Sequence, residues 1–170
     1  GAAAALLENA SPPNLIEYIQ RYKATICFTS PTAYRAMMAA MDKGADLSSL
    51  RIAVSAGETL PAPVFDQWTA RTGQQMLDGI GATELLHIFI SNRLGRAKAG
   101  ATGTLVTGYE ARIVDDAMQP VADGTPGKLA VRGPTGCRYL ADERQKLYVR
   151  DGWNLTGDAF IRDPGGTFHF

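Results

Sequence analysis

Gly79-Ile80-Gly81-Ala82-Thr83-Glu84 is the stretch on which the fold turns, and Leu85-Leu86-His87-Ile88-Phe89-Ile90-Ser91 follows it directly. Two glycines one residue apart offer backbone that a ligand approaches without meeting a Cβ. The periodicity predicts a strand over Gln75 to Asp78, a Gly-x-Gly turn, and a helix that starts at Thr83. That order puts free N–H groups and the positive end of a helix beside Thr83, which favours a phosphate there, with Glu84 placed to hold a metal ion bridging it. Alone, such a segment is more often an ordinary glycine turn capped by threonine.

Working back toward the start, extended and helical patterns alternate. Ser11-Pro12 opens a helix whose apolar face is Leu15, Ile16, Ile19 and Tyr22. Thr25 to Phe28 reads as a short buried strand, and Ser30-Pro31 starts a helix through Met41 with Gly44 at its left-handed exit. Arg51 to Ser55 is the next strand, and Pro61 begins a helix that Gly73 ends. This is the pattern of a parallel sheet with crossover helices. Ser55-Ala56-Gly57-Glu58 then lies at the carboxyl end of a strand, the edge where open α/β sheets bind ligands, and is expected to converge with Asp78-Gly79 on one crevice. A ligand-free turn is the equal alternative.

Beyond Arg93 glycine and proline become frequent. Short β-type runs occupy Glu110 to Val114, Lys128 to Arg132, Asp158 to Ile161 and Thr167 to Phe170, with turns between them at Asp115-Asp116, Asp123-Gly124 and Asp163-Pro164-Gly165-Gly166. The expected architecture is α/β over residues 1–97, followed by a small antiparallel β-barrel-like subdomain over 98–170, with the boundary near Gly95 to Gly100. Thr156-Gly157-Asp158 is polar for a strand interior. A carboxylate at Asp158 suits the two hydroxyls of a ribose, although a turn aspartate is the commoner explanation. His87, three residues after Glu84 on the predicted helix, shares its face and lines an acyl pocket or is satisfied by a backbone carbonyl.

Other classes are disfavoured. The 17 basic and 17 acidic side chains cancel, with no run of either sign, so no nucleic-acid footprint is visible. Cys27 and Cys137 have no metal-ligand spacing and read as inert thiols. With only His87 and His169 as histidines, zinc is not expected. No G-x-S-x-G suggests a hydrolase, and no early G-x-G-x-x-G suggests a dinucleotide-binding oxidoreductase. No signal leader or stretch of membrane-spanning length is present in this sequence, so a soluble cytoplasmic protein is the default expectation.

The order of segments resembles the adenylate-forming superfamily of AMP-dependent ligases. Gly79 to Glu84 is similar to its Y-G-x-T-E motif, with Ile80 in place of the aromatic residue. Gly127-Lys128-Leu129-Ala130-Val131-Arg132-Gly133 is similar to its G-E-L-x-I-x-G motif, with Lys128 in place of the acid, and Thr156-Gly157-Asp158 to its T-G-D motif. The stretches Ala82 to Ser91 and Gly133-Pro134-Thr135-Gly136-Cys137-Arg138-Tyr139-Leu140 resemble benzoate-CoA and 2-aminobenzoate-CoA ligases most. The resemblance implies an acid–thiol ligase that uses ATP, Mg²⁺ and coenzyme A on a small aromatic carboxylic acid. It implies Gly57, Glu58, Asp78, Gly79, Thr83 and Asp158 at the nucleotide, Thr83 and Glu84 in catalysis, Glu84 at the metal, and Gly81 with His87 at the acid. It also implies a partial domain, inactive without a phosphate loop upstream and a lysine-bearing lid downstream, whose first partner is the rest of its own full-length chain; a homodimer is compatible with it. A fatty-acyl-CoA ligase, a peptide-synthetase adenylation domain and a non-catalytic nucleotide-binding module remain the alternatives.

Overall fold

The computed structural model describes residues 1–41 and 44–170. The chain divides into two compact units, Gly1–Leu77 and Asp78–Phe170, a division that falls before the change of texture around Gly95.

In the first unit, α1 (Pro12–Tyr22), α2 (Pro31–Ala40) and α3 (Ala62–Thr72) alternate with β1 (Ile26–Thr29) and β2 (Ile52–Ser55), and β3 (Met76–Gly81) begins at its end. β1 and β2 pair in parallel, Ile26 opposite Ile52 through Thr29 opposite Ser55, as the alternating pattern predicts. Proline at the first turn of each helix presets φ where no N–H is needed. The left-handed exit of α3 falls on Gly73, at φ 72°. The helix expected to run through Met41 stops at Ala40, with Met41 extended. The expected exit at Gly44 depends on residues 42–43, which lie outside the described residues.

Two expectations for this unit are corrected. β1 is not buried on both faces, because Cys27 is buried whereas Ile26 and Phe28 are 53% and 54% exposed. Tyr22 is likewise exposed at the end of α1, its ring tilted against that of Tyr18 with centroids 5.2 Å apart.

Tyr34 ties the layers of the unit together. Its ring is fully buried edge-on against Trp68, with centroids 4.8 Å apart. Its hydroxyl sits 2.7 Å from the carbonyl of Cys27 and 3.0 Å from that of Val54, so one O–H group of α2 serves acceptors on both parallel strands. Tyr34→Phe keeps the packing but strips that donor. It is expected to destabilise the fold by about 1–2 kcal/mol, read as a lower urea midpoint with an unchanged slope.

In the second unit β3 runs on through Gly81 and pairs antiparallel with β4 (Ile88–Ser91), which pairs with β5 (Thr104–Leu105). A second sheet, all antiparallel, contains β6 (Glu110–Val114), β7 (Gly127–Arg132), β8 (Val149–Arg150), β9 (Trp153–Arg162) and β10 (Phe168–His169), with a short α4 (Arg144–Tyr148) before β8. Leu85, Phe89 and Ile90 from the first ribbon meet Leu129, Val131, Phe160 and Phe168 from this sheet in one dry core. On the sheet's other face Trp153 packs with Val114, Met118 and Ala130, beneath the guanidinium groups of Arg112 and Arg132.

The helix predicted from Thr83 does not form. Thr83–Leu85 is a single 3₁₀ turn, and Leu86 at φ 68° reverses the chain into β4. The run Ile88-Phe89-Ile90 is β-branched and aromatic, and a strand beside β3 buries Phe89 and Ile90 completely. Pairing across to Gly81 and Ile80 outweighs the local helical reading. The Gly-x-Gly segment is accordingly strand, not turn.

Candidate functional site

The glycines of β3 answer to close packing. A Cβ on Gly81 would stand 2.6 Å from the carbonyl oxygen of His87, and one on Gly79 would stand 3.0 Å from the side chain of Ile88. Gly81 therefore faces the backbone of the returning strand, where β3 and β4 slip register between Ile80 and Gly81. With no helix at Thr83, the helix-terminus argument for a phosphate there lapses, and Thr83 contributes an exposed hydroxyl on a tight turn. His87 and Glu84 do not share a helix face; His87 is exposed just before β4.

Glu84 has partners that the sequence reading missed. Its carboxylate accepts a hydrogen bond from the hydroxyl of Tyr139, and that bond, with the Arg144 guanidinium nearby, holds the carboxyl below its usual range. Arg144 stacks over the Tyr139 ring 4.7 Å from its centroid and is itself gripped by Asp142 through two N–H groups at 2.9 and 2.6 Å. Thr135 fixes the same segment by donating to the carbonyl of Leu85 at 2.8 Å. The only sequence signal was that Thr135 and Tyr139 lie in the stretch 133–140 that carries the subfamily resemblance; nothing local marked them as partners of a residue some fifty positions away.

Asp158 owes its placement to a bulge. β7 and β9 pair as Lys128 with Ala159 and Ala130 with Leu155, so one residue, Leu129, faces three: Thr156, Gly157 and Asp158. Gly157 takes φ 88°, open to glycine, and the Asp158 N–H donates to the Thr156 hydroxyl at 3.2 Å. Bulges re-aim side chains at sheet sites, and this one lets a carboxylate interrupt a ten-residue strand. The expected short run Asp158 to Ile161 is thus the second half of a longer element. Phe160, two residues on, is buried in the core that also holds Leu85, next to Glu84.

Asp78 is not at a strand end but inside β3, 7% exposed, and its Oδ1 has no hydrogen-bond partner among the described residues. Burial pushes its carboxyl up to about 7. Between the ordinary value of 3.8 and about 7 the unfolded chain has released a proton that the folded chain keeps, so stability falls as pH rises through that window and levels off above it. The expected slope is at most about 1.4 kcal/mol per pH unit. Asp78→Asn should flatten it, seen as urea midpoints that no longer drop between about pH 5 and about pH 8.

In the first unit, Gly57 takes φ 87° with open space where a Cβ would stand. Glu58 turns back to the start of α2, accepting from the Thr32 hydroxyl at 2.6 Å and the Thr32 N–H at 3.3 Å, and the Thr32 hydrogen bond holds its carboxyl below the usual range. It complements the dipole of α2, whose Ser30 caps the N–H of Ala33. The Cys27 thiol is buried and pushed up by that burial, as an inert thiol is.

No group of three or more potential metal-ligating side chains occurs among the described residues. A single ionised carboxylate at Glu84 fits Mg²⁺, which takes one or two carboxylates and fills its shell with phosphate oxygens and water. No helix among the described residues is long and apolar enough to cross a membrane.

A parallel β-α unit followed by antiparallel sheets closing on one core is the fold of the amino-terminal domain of adenylate-forming enzymes. Residues 1–139 match the model of the AMP-binding enzyme family, and the chain belongs to that family. It is 38% identical over 98% of its length to an anthranilate–CoA ligase of Pseudomonas aeruginosa, and 36% identical over 99% to a benzoate–CoA ligase of Thauera aromatica. It spans about a third of each, 32% and 33%. The crystal structure of the anthranilate CoA ligase AuaEII with anthranoyl-AMP superposes with a TM-score of 0.94 and 38% identity, over 99% of this chain and 34% of that one. A benzoate CoA ligase from Burkholderia xenovorans LB400 gives 0.87 and 33%, over 95% and 34%.

Proposed function

We propose that the chain is part of an AMP-forming aryl-CoA ligase acting on an anthranilate- or benzoate-type acid. In that reaction a carboxylate oxygen attacks the α-phosphorus of ATP, the bond to the β-phosphate oxygen breaks, and acyl-AMP and pyrophosphate form. The thiol of coenzyme A then attacks the acyl carbon, AMP leaves, and the thiol proton passes to solvent. The observation that carries the reading is the likeness, over nearly the whole chain, to a ligase structure holding anthranoyl-AMP.

In this reading Asp158, thrown out of the ladder by its bulge, accepts the ribose hydroxyls, and Thr83 donates to phosphate. Glu84, kept ionised by Tyr139, holds Mg²⁺, which when bound neutralises phosphate charge. By motif resemblance Gly57, Glu58, Asp78 and Gly79 are assigned to the nucleotide, and Gly81 and His87 to the acid. The functional division stays at 1–97 and 98–170, and the cytoplasm, where ATP and coenzyme A are available, is the implied compartment. Likeness to a long-chain-fatty-acid–CoA ligase of Escherichia coli O157:H7, 30% identical over 91% of the chain, supports the aliphatic alternative less well.

The test is pyrophosphate release by the full-length protein with ATP and anthranilate, benzoate or a long-chain fatty acid, with the acyl-AMP identified by mass spectrometry. Release with either aromatic acid supports the reading. Release with the fatty acid alone moves the activity to the aliphatic class, and tight AMP binding without release with any acid makes the chain a non-catalytic nucleotide module.

A further inference from the structure

The loop joining β4 to β5, with Thr167, lines a half-open pocket of about 520 Å³ that none of the residues assigned above lines. Arg93, Arg96 and Lys98 line it together with the hydroxyl-bearing Ser91, Thr104 and Thr167, and no carboxylate of the described residues belongs to its wall. In a chain whose charges balance, three cations on one wall without an acid is a local excess. The side chains of Arg96 and Lys98 form no ion pair among the described residues, and Arg93 reaches only the carbonyl of Leu105, at 3.4 Å. Asp163 is held instead by the Thr167 N–H at 2.8 Å and by His169 at 3.2 Å.

The backbone that carries these side chains is held by hydrogen bonds. The Asn92 N–H donates to the Asp78 carbonyl at 2.9 Å, its side-chain amide donates to the Ala101 carbonyl at 2.8 Å, and the N–H of Arg96 donates to the carbonyl of Arg93 at 2.9 Å. The loop is therefore pinned at both ends, and a tight turn brings the two arginines together. Among the described residues the wall carries no aromatic ring on which a base would stack and no large aliphatic side chain to hold an acyl group. What remains is a set of exposed cations with hydroxyl donors, carried on a pinned backbone, the chemistry that suits adjacent phosphate groups.

We propose that this cavity is a binding site for a pyrophosphate group, separate from the carboxylates at Glu84 and Asp158. Three cations match a diphosphate better than a single phosphate, which would leave part of the positive charge unanswered. The group is either free pyrophosphate or the diphosphate of an ester. The inference does not depend on the aryl-CoA ligase reading.

The test is calorimetry on the full-length protein carrying Asp158→Ala, so that nucleotide binding through that residue does not contribute. Inorganic pyrophosphate, orthophosphate and a methyl diphosphate ester are titrated separately. Pyrophosphate is expected to bind about 10-fold tighter than orthophosphate, and Arg93→Gln, Arg96→Gln and Lys98→Gln are each expected to weaken it about 3- to 10-fold. An ester as tight as free pyrophosphate identifies the ligand as a diphosphate-bearing cofactor, and a much weaker ester identifies it as the free ion; both support the site. Unchanged pyrophosphate affinity in the triple variant overturns it, as does equal weakening by Arg150→Gln, a cation away from the cavity wall. Far-UV circular dichroism of each variant checks that the exposed substitutions leave the fold intact.

Discussion

Replacing Gly103 with alanine is expected to cost the second unit about 3–5 kcal/mol, a large part of the stability of a small domain. Gly103 sits at φ 124°, and a Cβ there would lie 2.2 Å from the carbonyl carbon of Ser91 and 2.3 Å from the nitrogen of Asn92. Both obstacles are backbone, so no side chain can swing aside. The same residue exchanges hydrogen bonds with Phe168, which is 1% exposed in the core, so displacing Gly103 also pulls on β10. Gly100→Ala is the control: its φ is 75°, but open space surrounds the added carbon, and it should cost about 1 kcal/mol. Thermal melts followed by circular dichroism decide. Equal melting temperatures for the two variants would rule out a close approach of the chain at Gly103 to β4.

The second large effect falls on chemistry. On the proposed reading, Asp158→Ala in the full-length protein is expected to lower kcat/KM for ATP about 100-fold, mostly through KM, because it would remove two charge-assisted hydrogen bonds formed in ground and transition state alike. On the same reading Glu84→Gln should instead lower kcat by about 100- to 1,000-fold, since the charge it would supply through Mg²⁺ is needed most as phosphate charge develops. Tyr139→Phe separates a positioning role from a merely structural one. Losing the hydroxyl that orients Glu84 should raise the Mg²⁺ concentration for half-maximal rate about 3- to 10-fold without changing the KM for the acid. A Tyr139→Phe enzyme with an unaltered Mg²⁺ requirement would remove Tyr139 from the site.

Much of the first unit was legible because its signals are local. Pro12, Pro31 and Pro61 mark helix starts and Gly73 an end, and each acts through its own φ angle, whatever the rest of the chain does. The segment 83–91 was misread because an apolar run such as Leu85 to Ile90 satisfies a helix or a strand equally well by composition. Pairing with β3 decided it, and pairing is a property of two segments. Tyr139 could not be found for the same reason: its partner lies far along the chain, and no spacing rule links them. The bulge at 156–158 was half visible, since its polar residues argued against a plain strand, but only the register between β7 and β9 shows where the extra residues go.

By itself the sequence determined the family and the alternation of strand and helix as far as β3, because motif order and local backbone preference are written residue by residue. Tertiary structure alone decided that the glycines of β3 serve strand packing, that Glu58 caps α2, that Glu84 is held by Tyr139, and that three cations gather around one cavity. Those facts depend on which distant groups come within a few ångströms of each other, and burial of a shared core, not any local propensity, selects that arrangement.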